Sequence, residues 1–301
     1  MAPRILVTGR SGQLATSLAM HGGLDVQCLG RPALDLEQPH TIAAALAEVA
    51  PTLVVNAAAY TAVDAAETDQ AVALRINRDG PAELARHCAA ASLPLIHVST
   101  DYVFDGNKGA PYIETDATSP QGVYGTSKLA GELAVLAHCP RAIVLRTSWV
   151  YAPFGKNFVR TMLRLGEQQN QLRVVADQRG CPTSALALAR AILAIASHIG
   201  ATGWRDEYAG IYHAAGNGEA TWHELATATF AEAARHGASV PVVEPIATAD
   251  YPTKARRPPD SRLSCDKLAA TFGVRLPPWR DSLAETIDAI FAGAPALQAT
   301  G

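Results

Sequence analysis

Five short apolar runs punctuate the first half of the chain: RILVT (4–8), LDVQCL (24–29), TLVVNAA (52–58), LPLIHVS (93–99) and AIVLRTSWV (142–150). They are dense in Val, Ile and Leu and show little apolar/polar alternation, as expected of strands buried on both faces. Between them lie Ala-rich stretches of helical character near 13–21, 39–49, 67–91 and 123–138. This alternation predicts an α/β fold built on a doubly wound parallel sheet. After about residue 150 the rhythm loosens. Helices are expected near 156–169 and 183–198, strands at LRVVA (172–176) and GIYHAAG (210–216), and a closing helix near 279–292. TWHE (221–224) has the capping-box pattern that opens a helix to about 236. No linker-like break appears. The expectation is a nucleotide-binding unit over 1–150, with later segments returning to it, and a smaller interleaved α/β unit over 151–301 that covers the open ends of the strands.

Composition narrows the picture only by exclusion. The chain has 301 residues and a formal net charge of −3. Nothing global suggests nucleic acid or an anionic membrane as partner. Five scattered cysteines, an odd number, read as reduced thiols rather than a disulfide framework. The nine histidines form no HxxxH or HxxEH pattern, so no metal site is expected. MAPRILVTG enters a strand directly without a secretory h-region, and no window approaches about 18 uninterrupted apolar residues. A cytoplasmic protein is expected.

TGRSGQLA (8–15) follows the first strand at once and opens a helix, the context in which a glycine pattern acquires meaning. Gly9 permits the tight turn, Gly12 lets the backbone approach a pyrophosphate, and Ala15 holds the packing position. The spacing is Gly-x-x-Gly-x-x-Ala; a plain strand–turn–helix is the alternative. At the end of the second strand stands Gly30-Arg31 in place of the acidic residue that would grip a ribose 2′-hydroxyl. An arginine suits a 2′-phosphate, which favours NADPH over NADH, with Arg10 as a second contact. Arg31 as a plain surface residue is the other reading. Asp35 and Leu36 would lie beside the adenine, and Ala57, Ala58, Ala59, Tyr60 and Thr61 would line the cofactor after the third strand. Asn56 reads as a strand-end structural residue.

Tyr124 and Lys128 sit four apart in VYGTSKLAGE. On a helix this puts both on one face. A free tyrosine has a pKa of about 10, and an adjacent ammonium would lower it towards the range useful for acid–base work. Taken alone, the pair is equally an ordinary i,i+4 contact.

NAAAYTAVDAAE (56–67), STDYVFDG (99–106), VYGTSKLAGE (123–132) and RTSWVY (146–151) follow in order behind the glycine turn. Together they closely resemble the extended short-chain dehydrogenase/reductase family, in the wording of its dTDP-4-dehydrorhamnose reductase branch. PFGKNF (153–158), DQRGCPTS (177–184), TWHELA (221–226) and YPTKARRPPDSRL (251–263) extend the resemblance over nearly the whole chain. It implies a Rossmann-like fold and reduction of dTDP-4-dehydro-β-L-rhamnose to dTDP-β-L-rhamnose with NADPH, or NADH as the alternative. Tyr124 would protonate the developing sugar alkoxide, and Lys128 would hold the nicotinamide ribose and keep the Tyr124 pKa low. Thr100, with Ser99 as the alternative, would hydrogen-bond the ketone oxygen. Gly9, Arg10, Ser11, Gly12, Gln13 and Leu14 would cradle the cofactor. Asp101 and Trp149 match sugar-contacting positions, although a core tryptophan is the competing reading. Arg257, from the cluster Lys254, Arg256, Arg257 and Arg262, is the first choice for the substrate diphosphate, against an exposed charge run. Some members of the branch bring a glutamate from the first helix to a magnesium-bridged dimer contact. Ser17 stands at that position here, and the assembly is read as monomer or homodimer.

Three other functions remain in view: reduction of a related dTDP-4-keto-6-deoxysugar, nucleotide-sugar epimerisation with tightly held NAD, and a non-catalytic nucleotide-binding role like that of a methionine adenosyltransferase regulatory subunit. The complete Thr100–Tyr124–Lys128 set disfavours the last, and Arg31 with the GQLA turn disfavours the epimerase.

Overall fold

The computed structural model describes residues 3–293, so 294–301, at the end of the expected second unit, lie outside the described residues. Five strands form where the apolar runs stand: β1 (Ile5–Thr8), β2 (Val26–Leu29), β3 (Leu53–Asn56), β4 (Leu95–Thr100) and β5 (Ala142–Thr147). With the later strand Gly210–His213 they make one parallel sheet in the order Gly210–His213, β5, β4, β3, β1, β2. The missing alternation is explained by the packing. Ile5, Val7, Leu53, Val55, Ile143 and Leu145 face one apolar layer, built with helices Gln13–Gly22 and Ala185–Thr202. Leu6, Val54, Leu95 and Val144 face the other, built with helices Pro39–Val49, Gly80–Ala90 and Val123–His138. Strand order reverses between β1 and β3, and at such a switch point the loops diverge and leave a crevice at the carboxyl ends.

Helix Ala185–Thr202 is, among the described residues, the one helix long and apolar enough to cross a membrane. Here its apolar face is core: Leu188, Ile192 and Ile195 are fully buried against the sheet.

The expected helix over 67–91 forms over 70–90 without interruption, with a π turn inside it. Segments Gln70–Leu74 and Gly80–Ala90 flank a π turn, Arg75–Asp79. The turn presents Asn77 inward, where its amide accepts from the Tyr60 backbone N–H (2.8 Å) and donates to the Tyr60 carbonyl (3.1 Å) and Ser127 Oγ (2.9 Å). Single π turns of this kind often mark functional sites. Apolar periodicity does not report them, because the helical face resumes after the turn.

After β5 the chain builds a smaller lobe from helices Phe158–Gly166, Trp222–Ala234 and Trp279–Phe291 and three short strand pairs. Val242–Ile246 pairs in parallel with Gln171–Val175. That strand is poorly legible in sequence because Pro245 cannot donate to a ladder, a tolerable loss in a two-stranded pair. The capping box forms as expected: Thr221 Oγ1 accepts from the Glu224 amide, and Glu224 accepts from the Thr221 amide.

Helix Val123–His138 lies unusually close to its neighbours. A Cβ on Gly131 would fall 2.0 Å from the Asn77 carbonyl oxygen, and one on Gly125 would fall 2.2 Å from that of Tyr102. Both obstacles are backbone, so relief requires moving the helix. Gly131→Ala is therefore expected to destabilise the protein by about 1–3 kcal/mol, the usual cost of overpacking. Urea unfolding of the variant checks this; an unchanged midpoint would show that the helix can back away at no cost.

Candidate functional site

A cleft of about 1490 Å³ runs along the carboxyl ends of β1, β3, β4 and β5. It exceeds the ~300–1,000 Å³ of a typical single-ligand pocket. At one end stands the glycine turn. Gly9 adopts φ +96°, a conformation glycine tolerates and side-chain-bearing residues rarely adopt. Gly12 has an ordinary φ of −71°, yet a Cβ built there meets nothing within 4 Å. It directs open space towards the cleft at the amino end of helix Gln13–Gly22, where unpaired N–H groups and the helix dipole favour an anion. The loop 153–157 closes over this turn: Asn157 Nδ2 donates to Gln13 Oε1 (2.9 Å), and Phe154, Gly155 and Lys156 join the lining.

Of the expected site residues, Gly9 to Leu14, Arg31, Asp35, Leu36, Ala57, Ala58, Ala59, Thr61, Thr100, Asp101, Tyr124, Lys128 and Trp149 all line this cleft. Two do not. Tyr60 turns its hydroxyl away to donate to Asp69 (2.8 Å). Arg257 pairs with Asp64 through both guanidinium amines (2.9 and 3.3 Å), bracing the late loop against helix Val63–Ala66. Arg31 faces the cleft but is not a free fork: Glu37 (2.8 Å) and Asp35 (3.3 Å) both pair with it. Ser17 is buried and donates to the Gln13 carbonyl of its own helix (2.8 Å). Asn56 is also buried, accepting from Thr8 Oγ1 and meeting His97 Nδ1 at 2.9 Å, which ties the ends of three neighbouring strands together.

In the middle of the cleft, Thr100 and Asp101 end β4 while Tyr124 and Lys128 face them from helix Val123–His138. Thr100 Oγ1 donates to Asp101 Oδ1 (3.1 Å), and Ser148 Oγ donates to Asp101 Oδ2 (2.9 Å). Burial pushes the Asp101 carboxyl up to about 6, against the opposing bonds from Ser261, Ser148 and Thr100. Lys128 Nζ donates to the Val98 carbonyl (2.7 Å); burial pushes its pKa down to about 8, with Glu132 opposing.

The expectation that Lys128 keeps the Tyr124 pKa low needs correcting. Burial pushes Tyr124 up to about 12, opposed by the Thr100 hydroxyl and reinforced by the Asp101 carboxylate. Lys128 is directed to a backbone carbonyl, and its charge does not offset the burial of the phenol. A phenol in this state is fully protonated at neutral pH, which suits a donor rather than a base.

The far wall is a pair of indoles. Trp149, at φ +48°, stacks on Trp222 with centroids 3.5 Å apart and planes 5° from parallel. Gly180 backs it so closely that a Cβ there would fall 2.4 Å from the ring. One face of Trp149 is thus taken by Trp222, which also lines the cleft and donates from Nε1 to Gln178 Oε1 (3.1 Å). A bulky residue at positive φ carries strain, which concentrates at functional sites. Sequence reasoning took TWHE as a helix start and TWHELA as part of the resemblance, and missed Trp222 as a site residue; the indole at the first helical position was the available signal. It also missed Ser148, beside Trp149, and Lys156, within the PFGKNF string.

The fold and cleft are those of a short-chain dehydrogenase/reductase. Residues 3–291 match the RmlD substrate binding domain family. The chain is 47% identical over 281 residues to the dTDP-4-dehydrorhamnose reductase of Sinorhizobium fredii, covering 93% of this chain and 95% of the relative. It is 41% identical over 297 residues to a probable dTDP-4,6-dihydroxy-2-methyloxan-3-one 4-ketoreductase of Streptomyces antibioticus, covering 96% of each. The crystal structure of Bacillus anthracis dTDP-4-dehydrorhamnose reductase in complex with NADP superposes with a TM-score of 0.88 at 31% identity, covering 96% of this chain and 99% of that one. The chain belongs to the dTDP-4-dehydrorhamnose reductase family.

The Gly12 geometry generates a direct test. Gly12→Val should leave thermal stability near wild type, since its Cβ meets nothing and its φ is ordinary. It should weaken dinucleotide binding at least about tenfold by filling the approach to the helix amino end. Fluorescence titration of reduced nicotinamide cofactor checks this; unchanged affinity would remove the turn from the site.

Proposed function

We propose that the protein reduces the C4 ketone of dTDP-4-dehydro-β-L-rhamnose to dTDP-β-L-rhamnose, using NADPH. The observation that carries this reading is one continuous cleft joining the glycine turn, the Thr100–Tyr124–Lys128 group and the double indole wall. The family relatives supply the substrate class, and the NADP-bound relative supports the cofactor.

The residues at the glycine end fit a dinucleotide. Gly9 to Leu14 offer a turn, open space and a helix amino end for the pyrophosphate. Ala57 to Ala59 and Thr61 form a low wall along which the cofactor can lie, and Arg31 and Arg10 supply positive charge for a 2′-phosphate. Because Asp35 and Glu37 already share Arg31, the preference for NADPH over NADH is modest in this reading. When bound, the cofactor supplies a hydride to the sugar carbonyl carbon.

This chain's own residues do the rest. Tyr124, held protonated, gives its proton to the carbonyl oxygen as negative charge develops there. Thr100, hydrogen-bonded to Asp101 and lining the same cleft as Tyr124, accommodates the same oxygen and stabilises it. Lys128 keeps a buried positive charge beside the reacting centre and is available to the cofactor ribose. Asp101, Ser148 and the Trp149–Trp222 pair set the sugar, with indole surface for a pyranose and polar groups for its hydroxyls. The division into a cofactor unit over 1–150 and a mainly sugar-binding unit over 151–301 belongs to this reading, as does a cytoplasmic monomer or homodimer.

The Streptomyces relative favours one second reading, a related dTDP-4-keto-6-deoxysugar as substrate at the same site with the same chemistry. Loss of reduced-nicotinamide absorbance on adding dTDP-4-dehydrorhamnose tests both. Wild type should consume NADPH, and Tyr124→Phe should bind substrate with little change while kcat falls by about two to four orders of magnitude. Consumption only with another 4-keto sugar selects the second reading. No consumption with any dTDP-4-keto sugar returns the protein to a regulatory role, and near-wild-type turnover by the variant removes Tyr124 as donor.

A further inference from the structure

Helix Val123–His138 carries a third functional-looking group one turn beyond Lys128. Tyr124, Lys128 and Glu132 follow one another at four-residue steps and so stack on one face. Lys128 is 2% exposed and Glu132 fully buried. The Glu132 carboxylate is fixed from the sheet. Arg146 on β5 donates from Nε to Oε1 (3.0 Å) and from Nη2 to Oε2 (2.7 Å), while Ser99 on β4 donates from Oγ to Oε1. Ser99 and Arg146 are register partners on adjacent strands, so the carboxylate spans one rung of the sheet. The guanidinium also lies over the Phe104 ring at 5.0 Å.

A buried ion pair of this kind rarely stabilises a fold more than apolar side chains of the same volume would. What apolar side chains could not supply is a negative charge beside a buried ammonium. The other groups packed around the helix do not supply it either. His97, on β4 beside Lys128, is buried and held neutral by desolvation and by Lys128 itself. Asp101 acts on Tyr124. On the opposite side Asp64 is taken by Arg257 and Glu67 by the Val123 amide, while Arg86 pairs with Glu83.

We propose that Glu132 is a positioning residue for Lys128: its carboxylate, clamped by Arg146 and Ser99, keeps the buried ammonium charged and aimed at the Val98 carbonyl beside Tyr124. The proposal rests on Lys128 being the lysine of the reduction site, but it does not depend on which sugar is reduced. Burial alone drives the lysine towards neutrality, and Glu132 is the group that opposes it. Loss of charge at Lys128 would leave Tyr124 without a nearby cation when negative charge develops on the sugar oxygen.

The test reads Lys128 directly, without turnover. In protein labelled with 13C-lysine, the Lys128 13Cε resonance, identified by its loss in Lys128→Met, is followed against pH. Wild type should titrate near 8. Glu132→Gln should titrate at least about one pH unit lower, the size expected on losing a close opposite charge. Should that variant not fold, Glu132→Gln/Arg146→Met leaves no unpaired buried charge and, having lost the Glu132 carboxylate, should also titrate below wild type. A purely structural clip would lower the melting temperature of either variant and leave the Lys128 midpoint unmoved. That result overturns the proposal, whatever the enzyme's substrate proves to be.

Discussion

Everything at this site depends on how closely helix Val123–His138 is pressed onto the sheet and its flanking turns. Gly125 and Gly131 let backbone meet backbone, and the Glu132–Arg146–Ser99 cluster fastens the same helix to β4 and β5. The cost is real: buried charges must be desolvated, and removing one partner alone typically costs about 3–5 kcal/mol. The return is geometric. A helix lifted by a single methyl group would carry Tyr124 and Lys128 away from the strand end, and the 2.7 Å bond from Lys128 Nζ to the Val98 carbonyl tolerates little displacement.

From that constraint the electrostatics follow. Burial raises Tyr124 and Asp101 and lowers Lys128, each towards its neutral form. The consequence for Tyr124 is a protonated phenol at neutral pH, suited to giving a proton to an oxygen that is gaining charge. Lys128 is the group at risk, since its positive charge survives only against desolvation. The glycine turn lies at the other end of the same crevice because the sheet reverses its order between β1 and β3. One topological feature therefore brings the amino end of helix Gln13–Gly22 into line with Tyr124, more than a hundred residues later in sequence.

The sheet was legible because its strands are buried on both faces and leave uninterrupted Val/Ile/Leu runs, and helix Val123–His138 was delimited to the residue. What escaped were features whose cause is tertiary. The π turn at Asn77 hides inside a continuous helical pattern, and the strand Val242–Ile246 is masked by its proline. At the site, the glycine turn and the Tyr124–Lys128 pair carry local signatures. Trp222 joins the wall only by stacking on a residue 73 positions away (222 − 149). Arg257 has the chemistry for a diphosphate, yet Asp64, remote in sequence, claims it. The influence of Lys128 on Tyr124 was misjudged because spacing places two side chains on one face without saying where each is directed; the Val98 carbonyl decides that.

The central claim is that this cleft carries out hydride reduction of a dTDP-linked 4-keto sugar with Tyr124 completing the alcohol. It is tested most directly by reacting dTDP-4-dehydrorhamnose with NADPH deuterated at both C4 positions of the nicotinamide and examining the sugar by NMR. The account predicts dTDP-rhamnose carrying deuterium at C4 and nowhere else on the ring. Product bearing hydrogen at C4, or deuterated cofactor left unoxidised in the presence of the keto sugar, would contradict it.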